Sequence, residues 1–152
     1  MKTTRHFAVS ILVVSVCCIG HAQQERPCAD AESERALTEA LTATLRAWDT
    51  LYKSYRLYGN CDDGAIGESY SESVARILVD DWSTLRRLAS LATKDAEFRH
   101  FVLKHIDATL DMKDVEMIRT KAKTQCPTGL HPLCADLRKQ ATSALKEDAS
   151  SP

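Results

Sequence analysis

The sequence has little glycine or proline, no large excess of charge of one sign, and no apolar run long enough to span a membrane. With 5 Gly and 4 Pro among 152 residues, the chain is neither collagen-like nor of low complexity. Its 20 Lys and Arg are balanced by 21 Asp and Glu, which excludes the polybasic surface on which nucleic-acid affinity depends. We therefore expect one globular domain, with no nucleic-acid partner and no stable membrane insertion.

The N-terminus has the organisation of a secretory signal peptide. Lys2 and Arg5 form a charged start, residues 7–19 are a 13-residue apolar run, and small residues precede a cleavage point after Ala22. A membrane span needs about 20 apolar residues, so this run is too short to be an anchor. Lipid attachment at Cys17 or Cys18 is an open alternative. We expect the mature protein to be periplasmic or secreted.

This organisation divides the chain into three regions. Residues 1–22 are predicted to be the signal peptide, and residues 23–147 a single helical domain. Residues 148–152 are polar and are predicted to form a flexible tail.

Cleavage would leave four cysteines, Cys28, Cys61, Cys126 and Cys134. An even number in an exported chain predicts two disulfides, for which three connectivities exist. Cys28 and Cys61 flank a segment that is predicted to be one helix of about 29 residues, roughly 44 Å long, whereas bridged Cα atoms lie within about 7 Å. This length disfavours pairing Cys28 with Cys61, and with it the pairing of Cys126 with Cys134. The spacing of Cys126 and Cys134 does not match that of zinc-binding cysteine pairs. We expect no metal and no cofactor.

The pattern of apolar residues predicts an all-α, bundle-like protein stapled by disulfides. No segment alternates with a period of two, whereas apolar residues recur at steps of three and four. One such stripe runs from Leu37 through Leu41 and Leu45 to Tyr55, another runs from Val74 to Leu88, and each is predicted to be the buried face of a helix. We expect two long helices packed antiparallel and three shorter ones. The long helices are predicted at Asp30–Tyr58 and from between Asp63 and Ser69 to about Ala89. The shorter ones start at Asp95, Met112 and Pro132, and the first two of these are predicted to have Thr93 and Asp111 as their N-caps.

The densest polar segment, residues 60–72, separates the two long helices. Four of its side chains are carboxylates, but their spacing does not match a calcium loop. Capping of the second helix by Asp62 or Asp63 explains the first two without any ligand. The functional alternative is an acidic, tyrosine-flanked surface that binds a basic protein surface. The predicted contact residues are Tyr58, Asp62, Asp63, Glu68, Tyr70 and Glu72.

No nucleophile motif, phosphate-binding loop or dinucleotide fingerprint occurs in the chain, so we predict no catalytic residue. His105 lies on the apolar face of the helix that starts at Asp95, and it needs a hydrogen-bond partner there. Asp80, Asp81 or a tyrosine hydroxyl are the expected partners. A hydrogen-bonded core histidine is the favoured interpretation. A groove around His105 that binds a small ligand or a substrate is the alternative.

Several runs resemble a small family of exported bacterial proteins with no assigned chemistry. They are Tyr-Gly-Asn-Cys-Asp-Asp-Gly-Ala-Ile at 58–66, Tyr-Ser-Glu at 70–72, Phe-Val-Leu-Lys-His-Ile-Asp-Ala-Thr at 101–109 and Cys-Pro at 126–127. The general plan, a signal peptide followed by about 130 helical residues with paired cysteines, is similar to that of periplasmic immunity proteins against type VI secretion amidase effectors. This likeness implies a non-catalytic binding protein, such as an inhibitor or immunity-type factor, whose partner is another protein. A structural component of the envelope is a further hypothesis.

Overall fold

The computed structural model describes residues 27–41 and 45–150, so the predicted signal peptide lies outside the described residues. The described chain is all-α, as predicted, and contains no strand. No helix in this part of the chain is long and apolar enough to cross a membrane. The helices are α1 (Asp30–Ala40), α2 (Trp48–Tyr58), α3 (Gly64–Asp80), α4 (Leu85–Lys94), α5 (Ala96–Lys104), α6 (Met112–Thr124) and α7 (His131–Ser150).

The first predicted long helix is in fact two helices, α1 and α2. The apolar spacing had placed Leu41 and Leu45 on one buried face, but Leu45 is buried and Leu41 is exposed. Thr42 and Thr44 lie between them in the sequence, and threonine is a weak helix former. Both helices pack on α3, whose 17 residues span about 26 Å. A straight helix of about 44 Å would extend beyond this surface, so the chain buries more apolar area by folding back.

The fold-back makes the disulfide prediction wrong. Cys28 pairs with Cys61, with their Cα atoms 4.8 Å apart, and Cys126 pairs with Cys134 at 6.0 Å. The length argument against the first pair assumed one uninterrupted helix. Because α1 and α2 run back on each other, the two ends of that segment meet. The four predicted cysteines are therefore bridged, but each bridge is local to one part of the chain.

The second predicted long helix is also interrupted, so the expected antiparallel pair of long helices is not observed. α3 ends at Asp80, and a short 3₁₀ turn at Trp82–Thr84 leads into α4. The indole N–H of Trp82 donates to the backbone oxygen of Gln125, at 2.9 Å, which ties this turn to the end of α6. α3 instead contacts α1, α2 and α6, while α6 packs mainly on α7.

The start of α3 agrees with the earlier of its two predicted positions. Asp63 is the N-cap, and its side chain accepts a hydrogen bond from the backbone N–H of Gly64, at 2.8 Å. Gly64 has φ +49°, a left-handed conformation that glycine adopts at little cost.

The three helices predicted to be shorter begin within one residue of their predicted positions, but α7, with 20 residues, is the longest helix in the described part of the chain. Asp111 caps α6 as expected, whereas α5 is capped by Asp95, whose carboxylate accepts from the N–H of Phe98, at 3.1 Å. The last helix continues to Ser150, so residues 148–150 of the predicted tail are helical.

The two disulfides are expected to differ in their contribution to stability. They join residues 33 and 8 positions apart, and loop entropy assigns them about 3.7 and about 2.5 kcal/mol respectively. The double variant Cys28→Ser/Cys61→Ser should therefore unfold at lower urea than Cys126→Ser/Cys134→Ser. Cys61 and Cys134 are equally buried, which makes the two variants a matched pair. Equal midpoints, or peptides linking Cys28 to either C-terminal cysteine in a non-reducing digest, would contradict this description.

Candidate functional site

His105 lies in the interior at the end of α5, and only 2% of its surface is exposed. Its Nδ1 is 2.9 Å from Oγ of Ser71 on α3, and its Nε2 is 3.1 Å from Oδ2 of Asp62. The expected partners Asp80 and Asp81 are instead exposed at the other end of α3. His105 is thus a hydrogen-bonded core histidine whose partners are Ser71 and Asp62.

Two further groups extend this network. The ammonium group of Lys104 donates to Oδ2 of Asp62 at 2.7 Å, and the Ser71 hydroxyl donates to Oδ2 of Asp107 at 3.1 Å. Because the carboxylate of Asp62 can only accept, Nε2 of His105 carries a hydrogen. The network joins the turn before α3, α3 itself and the end of α5.

Serine, histidine and aspartate are also the groups of a hydrolase triad, but their arrangement here does not suit catalysis. Ser71 is 2% exposed, so a substrate carbonyl has no access to its Oγ. Its hydroxyl is directed to Asp107 rather than held for transfer of its proton to His105. A nucleophile needs a free approach and an adjacent base. The network therefore supports the fold and offers no reactive group.

The carboxyl group of Asp62 is held in its charged form. Burial raises its pKa, but hydrogen bonds and charge from His105, and then from Lys104, outweigh burial and leave the pKa below its ordinary value. The side chain is only 8% exposed. A buried carboxylate without such partners would be strongly destabilising, so these contacts are required for Asp62 to occupy this position.

The predicted contact residues do not form one surface. Tyr70 is fully buried, and its hydroxyl shares a hydrogen bond with Oγ of Ser54, at 3.0 Å. Its ring packs edge-on against Phe101, with centroids 5.2 Å apart, and burial raises its pKa. Tyr58 is half-buried against the core. The Asp62 side chain is also buried. Three of the six predicted contact residues, Tyr58, Asp62 and Tyr70, therefore pack in or against the core.

The remaining three predicted residues, Asp63, Glu68 and Glu72, are exposed on α3 or at its start. Asp63 caps the helix, whereas Glu68 and Glu72 lie one turn apart and border an open groove of about 630 Å³ between α1 and α3. We call this the α1–α3 groove. Its lining residues are Leu37, Ala40, Leu41, Arg46, Ala65, Glu68, Ser69, Glu72, Ser73 and Arg76.

One wall of the α1–α3 groove is apolar. It consists of Leu37, Ala40 and Leu41, which are three and four positions apart on α1 and so share one helix face. Leu41 is 70% exposed. The sequence pattern assigned Leu37 and Leu41 to the core of a long helix and therefore missed the groove. The two threonines after Leu41 were the available signal that the helix ends there.

The two helices that form the α1–α3 groove carry mainly negative charge, although Arg46 and Arg76 line the groove beside Glu68 and Glu72. α1 together with Asp63 and α3 carries eight carboxylates and two arginines. One of these, Arg76, is already paired with Glu72 at 3.1 Å, with Asp80 at 3.7 Å and with Asp114 on α6. By contrast, residues 85–104 of α4 and α5 carry five Lys and Arg against two acids. Acidic residues thus outnumber basic ones on the helices of the groove, whereas basic residues predominate on α4 and α5.

Comparisons with protein-family models, curated proteins and solved structures found no match to this chain. The family likeness stated from the sequence therefore stays a prediction. Among the residues that the structure describes, no three His, Cys, Asp or Glu side chains are grouped so that they could hold a metal ion.

The lowered pKa of Asp62 predicts a pH-dependent stability. The group contributes fully above its unfolded-state pKa, near 3.8, and its contribution is lost as the pH falls through the lower folded-state value. At pH 7, Asp62→Asn should reduce the free energy of unfolding by about 1.5–3 kcal/mol, because hydrogen bonds to a buried charge are lost. Urea unfolding of both proteins from pH 7 to pH 3 would measure this, and the difference should shrink below pH 4.

The neighbouring substitution Asp63→Asn is the matched control. Asparagine caps helices as well as aspartate does, so the free energy of unfolding should change by less than about 0.5 kcal/mol. If the two variants were equally stable at pH 7, Asp62 would not have the structural role described here.

Proposed function

We propose that the protein is an exported, non-catalytic binding protein that contacts another protein through the α1–α3 groove. The observation that carries this proposal is the exposure of Leu41, at the end of α1, beside the half-buried Leu37, with Glu68 and Glu72 on the opposite side of the groove. An isolated exposed leucine needs no explanation, but an apolar strip bordered by polar residues is typical of an interaction site. Acidic residues at its edge favour a partner with a basic surface.

The groove lacks reactive groups of its own, which supports binding rather than catalysis. Its two hydroxyl groups donate to backbone oxygens of α3: Ser69 to Ala65 at 2.8 Å and Ser73 to Ser69 at 2.9 Å. His105, the side chain on which the enzyme alternative depended, is buried with its nitrogens bonded. A site whose hydroxyl groups already donate to the backbone offers no activated nucleophile and is suited to recognition.

The exported location is supported by two disulfides, which persist in oxidising compartments, together with the predicted signal peptide. The more specific role of inhibitor or immunity-type factor follows from the architectural likeness to periplasmic immunity proteins. A stapled scaffold suits such a role, because a surface that is ordered before binding loses less entropy in the complex.

Affinity capture with charge variants tests the function. The oxidised wild-type protein and Glu68→Lys/Glu72→Lys would be used as baits against the periplasmic fraction of the source cells, at low and high salt. We expect the wild type to retain one cognate protein that elutes as salt rises. We expect the variant to retain at least about tenfold less, since complementary charge sets the encounter rate.

The variant Glu97→Lys/Asp148→Lys is a matched control, because it makes the same charge change on α5 and α7. Both residues are exposed, and this bait should retain the partner as well as the wild type does. If all three baits, each with native circular dichroism and both disulfides formed, retain the same proteins or none, the proposed function is wrong.

A further inference from the structure

We infer that the occupant of the α1–α3 groove is an amphipathic α-helix of the partner, with apolar residues on one face and Lys or Arg beside them. This inference rests on the proposed function and specifies the chemistry of the partner. Three properties of the groove carry it: the spacing of its apolar wall, its openness to solvent and the sign of its charge.

The apolar wall follows helical spacing. Leu37, Ala40 and Leu41 occupy positions i, i+3 and i+4 on α1, and a second helix laid along them presents its own apolar side chains at the same spacing. An extended strand would need an unpaired sheet edge to bind. No strand occurs in residues 27–41 and 45–150, so the described surface offers a strand no backbone pairing.

The openness of the groove favours a macromolecular segment over a small molecule. Sites for small ligands enclose most of the ligand surface. Here Leu41 is 70% exposed, and the groove is a furrow between two helices with solvent above it. A helix lying in this furrow would cover Leu41 with its apolar face and leave its polar face in water.

The charges select a basic helix. Glu68 and Glu72 are four residues apart on α3, so both carboxylates follow the same edge of the groove. Lys or Arg on a bound helix, repeated every three or four residues, would meet them in register. Arg76 does not cancel this preference, because it is paired with Asp80 and Asp114 as well as Glu72. Arg46 is exposed at the groove. A bound helix with one acidic residue at the matching position could pair with it.

Designed peptides test this inference directly. Three probes of 16 residues share one helical framework. The first has leucines at i, i+3, i+4 and i+7 flanked by lysines, the second replaces the lysines with glutamates, and the third keeps the lysines and replaces the leucines with glutamines. Fluorescence anisotropy with the oxidised protein would give the affinities. We expect the first probe to bind at least about tenfold more tightly than the other two, because both apolar and charged contacts are needed.

Two protein variants locate the binding site. Leu41→Asp should weaken the first probe about tenfold, and since Leu41 is exposed, the fold should be unaffected. Glu68→Lys/Glu72→Lys should reverse the order of the first two probes, while Glu97→Lys/Asp148→Lys should preserve it. Amide chemical-shift changes should centre on α1 and on the first half of α3. Shifts that centre on any other helix would overturn the inference.

The outcomes separate the two proposals. If capture recovers a partner that depends on Glu68 and Glu72 but no probe prefers the groove, the function stands and the helical occupant is wrong. If the lysine–leucine probe binds as expected but no partner is captured, the groove chemistry stands and the function is wrong. Dimerisation in sedimentation experiments that Leu41→Asp abolishes would identify a second copy of this chain as the occupant, and would also overturn the inference.

Discussion

The ion pair and hydrogen bonds of Asp62 fix the position of α3, on which much of the molecule is packed. Its carboxylate accepts from Lys104 and His105, so the turn before α3 is joined to the end of α5. The preceding residue, Cys61, is bonded to Cys28 just before α1. Two consecutive residues thus connect α3 to α1 covalently and to α5 electrostatically. Because a buried carboxylate is costly without partners, this turn has few alternative conformations.

The same junction determines the shape of the α1–α3 groove. Its two walls are α1 and α3. The residues that anchor the starts of both helices, Cys28, Cys61 and Asp62, lie close together. The N-terminus of α1 is therefore fixed covalently, and the N-terminus of α3 is held by the contacts of Asp62. Because these anchors hold the starts of both helices together, less conformational freedom is lost on association than with untethered helices.

Sequence periodicity predicted most of the helical residues but not the breaks that determine the topology. Apolar spacing continues in register from Leu37 to Tyr55, although α1 ends at Ala40, and it continues from Val74 to Leu88 through the turn at Trp82. A pattern that keeps its phase through a break cannot locate that break. The wrong disulfide pairing followed from this one error. The burial of Asp62 was equally hidden, because its partners Lys104 and His105 lie more than forty residues away in sequence.

The acidic segment contains side chains of two kinds, which sequence alone could not separate. Asp62 and Tyr70 are buried, with Oδ2 of Asp62 bonded to Lys104 and His105 and the Tyr70 hydroxyl bonded to Ser54, so the fold accounts for their presence. Leu41 and Glu68 are exposed, and Glu72 makes only a partly exposed ion pair within its own helix, an interaction worth about 0.5 kcal/mol or less. Folding therefore explains neither the leucine nor its acidic neighbours. The exposed Leu41 beside the half-buried Leu37, with Glu68 and Glu72 across the groove, forms a surface whose composition is better explained by recognition than by stability.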